Sequence, residues 1–318
     1  MPHAIAAAFC LGAIFSAGFA APVKASGKAP AKPLYPASAE RGESVYLKAC
    51  IACHGEDGGG NGPAARYLDP LPRNFTTGMF KFRSTPSGEL PTDADLLRVV
   101  EDGVSGTQMP PWKDILTAQE RADVVAYLKL FSEDFRGAAP PPPLAVPEPP
   151  QALAKWAPEG KMIYMLMECW ACHGGKGKGD GKSGKTLTDD WGKKILPWNL
   201  TRYQYKAGHD ARALYRTFST GLNGTPMPAY ALDGFLIGGN TEVDPAKYRE
   251  AYSNPEIDAL KSWLATQPTD SEIGRMSDAG KAALGERRKW ALVSYIQSLV
   301  HKPNYIVRIF TEDTETTP

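Results

Sequence analysis

An all-α protein of two similar domains joined by a proline-rich linker is the fold class this sequence predicts. Three observations carry it. The pentapeptide C-x-x-C-H occurs twice, as Cys50-Ile51-Ala52-Cys53-His54 and Cys169-Trp170-Ala171-Cys172-His173, 119 residues apart. The segments flanking the two copies match in order, which marks a duplication. Between them, residues 137–150 hold the run Pro140-Pro141-Pro142-Pro143 and three further prolines.

Length and composition agree with two domains. A chain of 318 residues suits two units of ordinary size, and 42% hydrophobic residues are enough to bury a core in each. The formal net charge of +1 argues against nucleic acid or any other general polyanion as partner. The charge is uneven, however. Residues 40–136 carry 11 basic and 15 acidic side chains, a net of −4, whereas residues 151–300 carry 20 and 16, a net of +4.

Taken in order, residues 1–21 read as a secretory signal. Ala4 to Ala21 is an apolar, Ala-rich run with small residues near Ala20 and Ala21 for cleavage. Cys10 leaves with it. Left uncleaved, the same run would be a marginal membrane anchor. A Pro/Ala/Lys-rich segment follows at 22–39. The first domain is expected over 40–136, with a helix over Arg41–Ala49 presenting Val45 and Tyr46. A second helix opens at the capping-box pattern Thr117-Ala118-Gln119-Glu120 and runs through Val124, Val125, Tyr127 and Leu128. The linker, 137–150, favours polyproline II, a semi-rigid spacer of about 3 Å per residue.

The second domain, 151–300, repeats the first. Gly160-Lys161-Met162-Ile163-Tyr164 parallels Gly42-Glu43-Ser44-Val45-Tyr46. Pro197-Trp198-Asn199-Leu200-Thr201 parallels Pro72-Arg73-Asn74-Phe75-Thr76, and Gly224-Thr225-Pro226-Met227-Pro228 parallels Gly106-Thr107-Gln108-Met109-Pro110. The closing helix is expected over Glu286–Val300. Met109 to Tyr127 is 18 residues but Met227 to Tyr295 is 68, so an insertion is expected around 231–284. It contains a helix after Pro255 with Ile257, Leu260, Trp263 and Leu264 at helical spacing, and Trp263 and Leu264 read as core. The tail, 301–318, is acidic, with Tyr305–Phe310 as a candidate strand.

The duplicated pentapeptide carries the chemistry. Its two thiols can bond covalently to a haem, and its histidine can ligate the iron. A zinc site would want four ligands, and each cluster offers three in a tight run. A disulfide within each pair would leave the following histidine unexplained, twice. Two covalently attached haems are therefore expected at Cys50, Cys53, His54 and at Cys169, Cys172, His173.

Each iron then needs a second ligand. His54 to Met109 is 55 residues and His173 to Met227 is 54, and both methionines stand in the same Gly-Thr-x-Met-Pro setting. A thioether opposite histidine stabilises the reduced iron, so Met109 and Met227 are the expected distal ligands. Met79, Met162, Met165 and Met167 have no counterparts and read as packing residues. His209 and His301 also lack counterparts and read as surface histidines. The free nitrogen of each haem histidine should donate to a carbonyl, from the Pro-x-Asn segments or Pro63.

Residues 179–186, GDGKSGKT, match the P-loop pattern by chance. They lack a preceding strand and a following helix, so no nucleotide is expected. The six lysines between Lys176 and Lys194 instead suggest a basic ring at the haem edge that steers an acidic partner.

These motifs resemble those of class I c-type cytochromes, over about 40–132 and most of 158–300. The resemblance implies two cytochrome c-like domains and a periplasmic dihaem electron carrier, or a cytochrome subunit of a bacterial oxidoreductase. It implies a redox donor and acceptor as partners, a periplasmic molybdenum oxidoreductase among them. The competing class is a dihaem enzyme, a peroxidase or sulfur-compound dehydrogenase, which needs an open iron and nearby acid–base groups. A haem-based sensor or assembly module is the third reading.

Overall fold

The computed structural model describes residues 35–137 and 139–300. The expected signal segment, most of the Pro/Ala/Lys-rich segment, His301 and the acidic tail with its candidate strand lie outside them. The described residues form helices, and their one β-pairing is a lone bridge between Thr188 and Lys194. No described helix is long and apolar enough to cross a membrane.

The first half is built on α1 (Ala39–Ala49), α2 (Ile51–His54), α3 (Asp93–Asp102) and α4 (Ala118–Leu128). Helix α1 starts where the Ser38 side chain accepts the Arg41 N–H at 3.3 Å, with Glu40 in its first turn and Lys48 in its last to complement the helix dipole. Helix α4 opens on the expected capping box, Glu120 accepting from the Thr117 N–H at 2.8 Å. The two helices cross at Gly42, where a Cβ would lie 2.0 Å from the carbonyl oxygen of Asp123. Tyr46 and Tyr127 pack beside that crossing, 5.4 Å between ring centroids. With Phe75, Leu96 and Val124 they make the first core.

The second half repeats the plan with α5 (Ala157–Leu166), α6 (Cys169–His173), α7 (Ala211–Thr220), α8 (Pro245–Tyr248), α9 (Asn254–Leu264), α10 (Asp270–Arg275) and α11 (Asp278–Leu299). Helices α5 and α11 cross at Gly160, where a Cβ would lie 1.9 Å from the Ala291 carbonyl, and Tyr164 meets Tyr295 at 5.2 Å. Between the Met227 loop and α11 stand α8, α9 and α10, with no helix at the matching place in the first half. They are core, as expected for Leu264: Ile257, Leu260 and Leu264 are buried, and Tyr248 and Tyr252 flank Trp170 at 5.7 and 6.1 Å. Trp170 occupies the place that Ile51 takes in the first pentapeptide, so a larger side chain sits where extra helices cover it.

Three features differ from the sequence expectations. Helix α11 begins at Asp278 rather than Glu286, about two turns earlier, because Ser277 caps it by accepting the Gly280 N–H at 3.2 Å. Helices α3 and α7 had no expectation. Their caps are Thr92, whose box partner is Asp95 instead of the usual Glu or Gln, and Asp210, which has no box partner. The linker is the third. Residues 139–150 carry no helix, but they lie against both halves. The Leu144 N–H donates to the Ser84 carbonyl at 2.8 Å, Val146 packs on the second core, and Glu148 pairs with Arg212.

Candidate functional site

Each pentapeptide is a short helix, α2 or α6, set at the end of α1 or α5. That position turns its histidine toward the Pro-x-Asn segment. His54 Nδ1 lies 3.0 Å from the Arg73 carbonyl, and His173 Nδ1 lies 3.0 Å from the Trp198 carbonyl. A carbonyl only accepts, so Nδ1 carries the proton and Nε2 is left unprotonated and able to ligate a metal. Burial pulls both histidines below their usual pKa and so keeps them neutral. Pro63, the other candidate acceptor, is not the partner.

The loop after each histidine is held in the same way in both halves. The Gly60 N–H donates to the His54 carbonyl and the Gly179 N–H to the His173 carbonyl, both at 2.8 Å. Gly60 and Gly179 are at φ +76° and +78°, and a Cβ on either would lie 2.6 Å from the carbonyl of Pro72 or Pro197. The buried hydroxyls of Tyr46 and Tyr164 donate to the carbonyls of Gly55 and Gly174, the residues next to the histidines, at 2.6 and 2.7 Å.

The two methionine turns are also superimposable in their bonding. The N–H of Met109 donates to Thr107 Oγ1 at 3.1 Å and that of Met227 to Thr225 Oγ1 at 3.2 Å. Their carbonyls accept from Val104 and Leu222 at 3.0 and 3.1 Å. Each turn is then tied to the unexpected helix of its half: the Trp112 N–H donates to Val100 of α3 at 3.1 Å, and the Tyr230 N–H to Phe218 of α7 at 2.7 Å. Both methionines are half-buried. A buried cation on the closing helix completes the tether. Arg121 Nη1 donates to the Lys113 and Leu116 carbonyls, and Lys289 Nζ donates to the Tyr230 carbonyl at 2.7 Å. The threonines lie inside the repeat Gly-Thr-x-Met-Pro, and their role was readable there. Arg121 and Lys289 stand six residues before the matched tyrosines Tyr127 and Tyr295, a signal that alignment alone would have given.

The donors present fit a covalently held haem. The four described cysteines are free thiols, and burial pushes Cys50 up to about 11 and Cys169 up to about 12. Among the described residues, no three His, Cys, Asp or Glu side chains converge as ligands of one ion, as a zinc site would require. The buried indole nitrogens of Trp112, Trp191 and Trp198 have no acceptor among the described residues. Burial also lowers Arg73 to about 10 and Lys81 to about 8, and Arg73 and Lys206 both repel Lys81. Haem brings two carboxylates, the acceptors and counter-charges that such a donor set takes.

The remaining expectations fall outside this constellation. Met165 is fully buried, Met162 and Met167 pack on the second core, and Met79 is half-buried in a turn. His209 is exposed and meets only Tyr203, 3.4 Å away. The P-loop look-alike contains a 3₁₀ turn, Lys182–Thr186, with no strand before it. All six lysines from Lys176 to Lys194 are exposed, and only Lys182 has an acidic partner, Glu250 at 3.4 Å.

Both halves match cytochrome family models. Residues 37–128 match the family model for cytochrome c oxidase, cbb3-type, subunit III, and residues 157–268 match that for cytochrome c. Among curated proteins none matches. A chain of the Kuenenia stuttgartiensis reducing HAO-like protein complex Kustc0457/Kustc0458 is similar across both halves. It is 36% identical with a TM-score of 0.64, over 84% of this chain and 99% of that one.

Proposed function

Since the chain belongs to the tandem dihaem c-type cytochromes and carries two covalently bound haems, we propose that it relays single electrons between periplasmic redox proteins, each iron held between a histidine and a methionine of its own half. The bound haems supply the reversible one-electron couple. The chain's own residues do the rest. Cys50 and Cys53, and Cys169 and Cys172, anchor the groups. His54 and His173 present Nε2, and Met109 and Met227 present sulfur from turns fixed by Thr107 and Thr225.

The observation that carries this reading is the identity of the two sites in bonding. A peroxidase or other dihaem enzyme would free one iron for substrate and place acid–base groups beside it. Here both methionine turns have the same threonine bond and the same carbonyl bond, and in each half a buried cation of the closing helix bonds a carbonyl that follows the turn.

A larger redox protein is the partner class. The similar chain is a component of a HAO-like protein complex, and this favours a HAO-like partner over the molybdenum oxidoreductase implied by class I resemblance. The exposed lysines Lys176, Lys178, Lys185, Lys193 and Lys194, beside the second site, suit an acidic docking face, and association should weaken as salt rises. Substituting each methionine tests the ligation. Met109→Ala and Met227→Ala should each abolish one methionine-to-iron charge-transfer band. Each should also lower one potential by at least about 59 mV, tenfold in a one-electron equilibrium. Two unchanged low-spin spectra would overturn the assignment.

A further inference from the structure

The residue that orients each histidine also reaches into the other half, Trp198 onto a methionine turn and Arg73 onto the tryptophan that covers one. Trp198 accepts from His173 through its carbonyl, and the edge of its ring lies on Gly106 of the first half. A Cβ on Gly106 would sit 2.9 Å from Trp198 Cη2. Gly106, at φ +72°, opens the turn that ends in Met109. Arg73 holds the matching place in the first half. Its carbonyl accepts from His54, and its guanidinium lies over the Trp191 ring, 4.5 Å from the centroid. Trp191 in turn covers Gly224, where a Cβ would sit 2.6 Å from Trp191 Cη2, and Gly224 opens the turn that ends in Met227.

These contacts are stiff. The Asp190 N–H donates to the Gly224 carbonyl at 3.2 Å, and the Trp191 N–H donates to Asp189 Oδ1 at 3.1 Å, so the indole is fixed against its turn. Both turns need the missing Cβ and the positive φ that glycine supplies. A ring packed on such a turn blocks its movement toward the ring, because close-packed groups pass displacement on. Two further bonds hold the halves in register: Arg83 Nη2 donates to the Thr220 carbonyl at 2.7 Å, and the Gly88 N–H donates to Asn223 Oδ1 at 3.1 Å.

We propose that residues 73 and 198 are positioning residues for the opposite methionine: Trp198 holds the Met109 turn directly, and Arg73 holds the Met227 turn through Trp191. The proposal rests on the histidine–methionine ligation argued above. The strut of each histidine is thereby the brace of the other site's methionine. The two sites are coupled, and linkage makes that coupling reciprocal.

The test reads one methionine at a time in the haem-loaded full chain. In Met227→His the remaining charge-transfer band belongs to Met109. Adding Trp198→Leu to that background should bleach the band and lower the first-half potential, while Trp198→Phe, which keeps a ring, should restore part of it. In Met109→His, adding Arg73→Leu, which takes the guanidinium off the Trp191 ring but keeps the carbonyl that His54 uses, should weaken the Met227 band. His173 ligation should survive Trp198→Leu, because the acceptor is a backbone carbonyl, and the retained low-spin histidine spectrum reports this. An unchanged Met109 band, or a loss confined to the second half in which Trp198 resides, overturns the coupling. Absence of any methionine band in the single Met→His parents overturns the ligation reading itself, and with it the proposal.

Discussion

Lys289 and Arg121 occupy the same place in the repeat and each holds the segment after a methionine, Lys289 through the Tyr230 carbonyl and Arg121 through those of Lys113 and Leu116, but their surroundings differ in one charge. Arg121 has Glu101 at 3.0 Å, whereas Lys289 is 2% exposed and its Nζ bonds only Ser219 Oγ and the Tyr230 carbonyl. Burial pushes Lys289 down to about 8, opposed by the charge of Asp233, while the rings of Tyr215 and Phe235 face it at 5.0 and 5.2 Å. A lysine depressed on folding releases its proton in the native state before the unfolded chain does. Between about pH 8 and pH 10 the unfolded chain thus binds the extra proton, and stability climbs with pH by up to about 1.4 kcal/mol per unit. Below that window the lysine is charged in both states and the contribution is flat. Lys289→Met should remove one proton from this slope in denaturant titrations at pH 7.5 and 9.5. A slope unchanged in Lys289→Met would mean that the amine is not the titrating group.

At the scale of elements, the crossings of α1 with α4 and of α5 with α11 have the same design. Glycine lets two backbones approach, and a tyrosine pair seals the seam one turn further on. Alanine is the better helix former by about 1 kcal/mol, so propensity alone would favour Gly160→Ala. Packing decides otherwise. The new methyl would lie 1.9 Å from the Ala291 carbonyl oxygen, and the helices would have to part. Overpacking of this kind costs about 1–3 kcal/mol, enough to reverse the propensity gain. Thermal unfolding of Gly160→Ala and Gly42→Ala should show both destabilised, and a rise in either melting temperature would refute the close crossing. These crossings were legible before the structure, because Gly42 and Tyr46 align with Gly160 and Tyr164. Helices α3 and α7 were not. Their caps depart from the usual capping box, and neither helix carries a motif to be matched. They prove to hold the methionine turns, through Val100 and Phe218.

For the molecule as a whole, the sequence described two beads on a semi-rigid spacer, and the structure brings the beads together. The proline run of 137–150 favours an extended polyproline II chain, but it says nothing of what that chain lies on. That depends on residues far away, Ser84 and Arg212 among them. The interface itself left no periodic trace. It is built from single residues outside the duplicated motifs, such as Arg83, Trp191 and Asn223, or from a position where the copies differ, Arg73 against Trp198. Arg83 is the clearest of these. It is 2% exposed, and it spans the halves by donating to Thr220 at 2.7 Å while its Nε bonds the Pro86 carbonyl at 3.1 Å. Removing it strands two carbonyls and opens a cavity, a loss of about 2–4 kcal/mol that falls on the contact between halves. Arg83→Ala should therefore split one cooperative calorimetric transition into two, one for each half. It should leave both haem spectra in place, since no ligand contacts Arg83. A single transition merely shifted downward would instead place the arginine's contribution inside the first half.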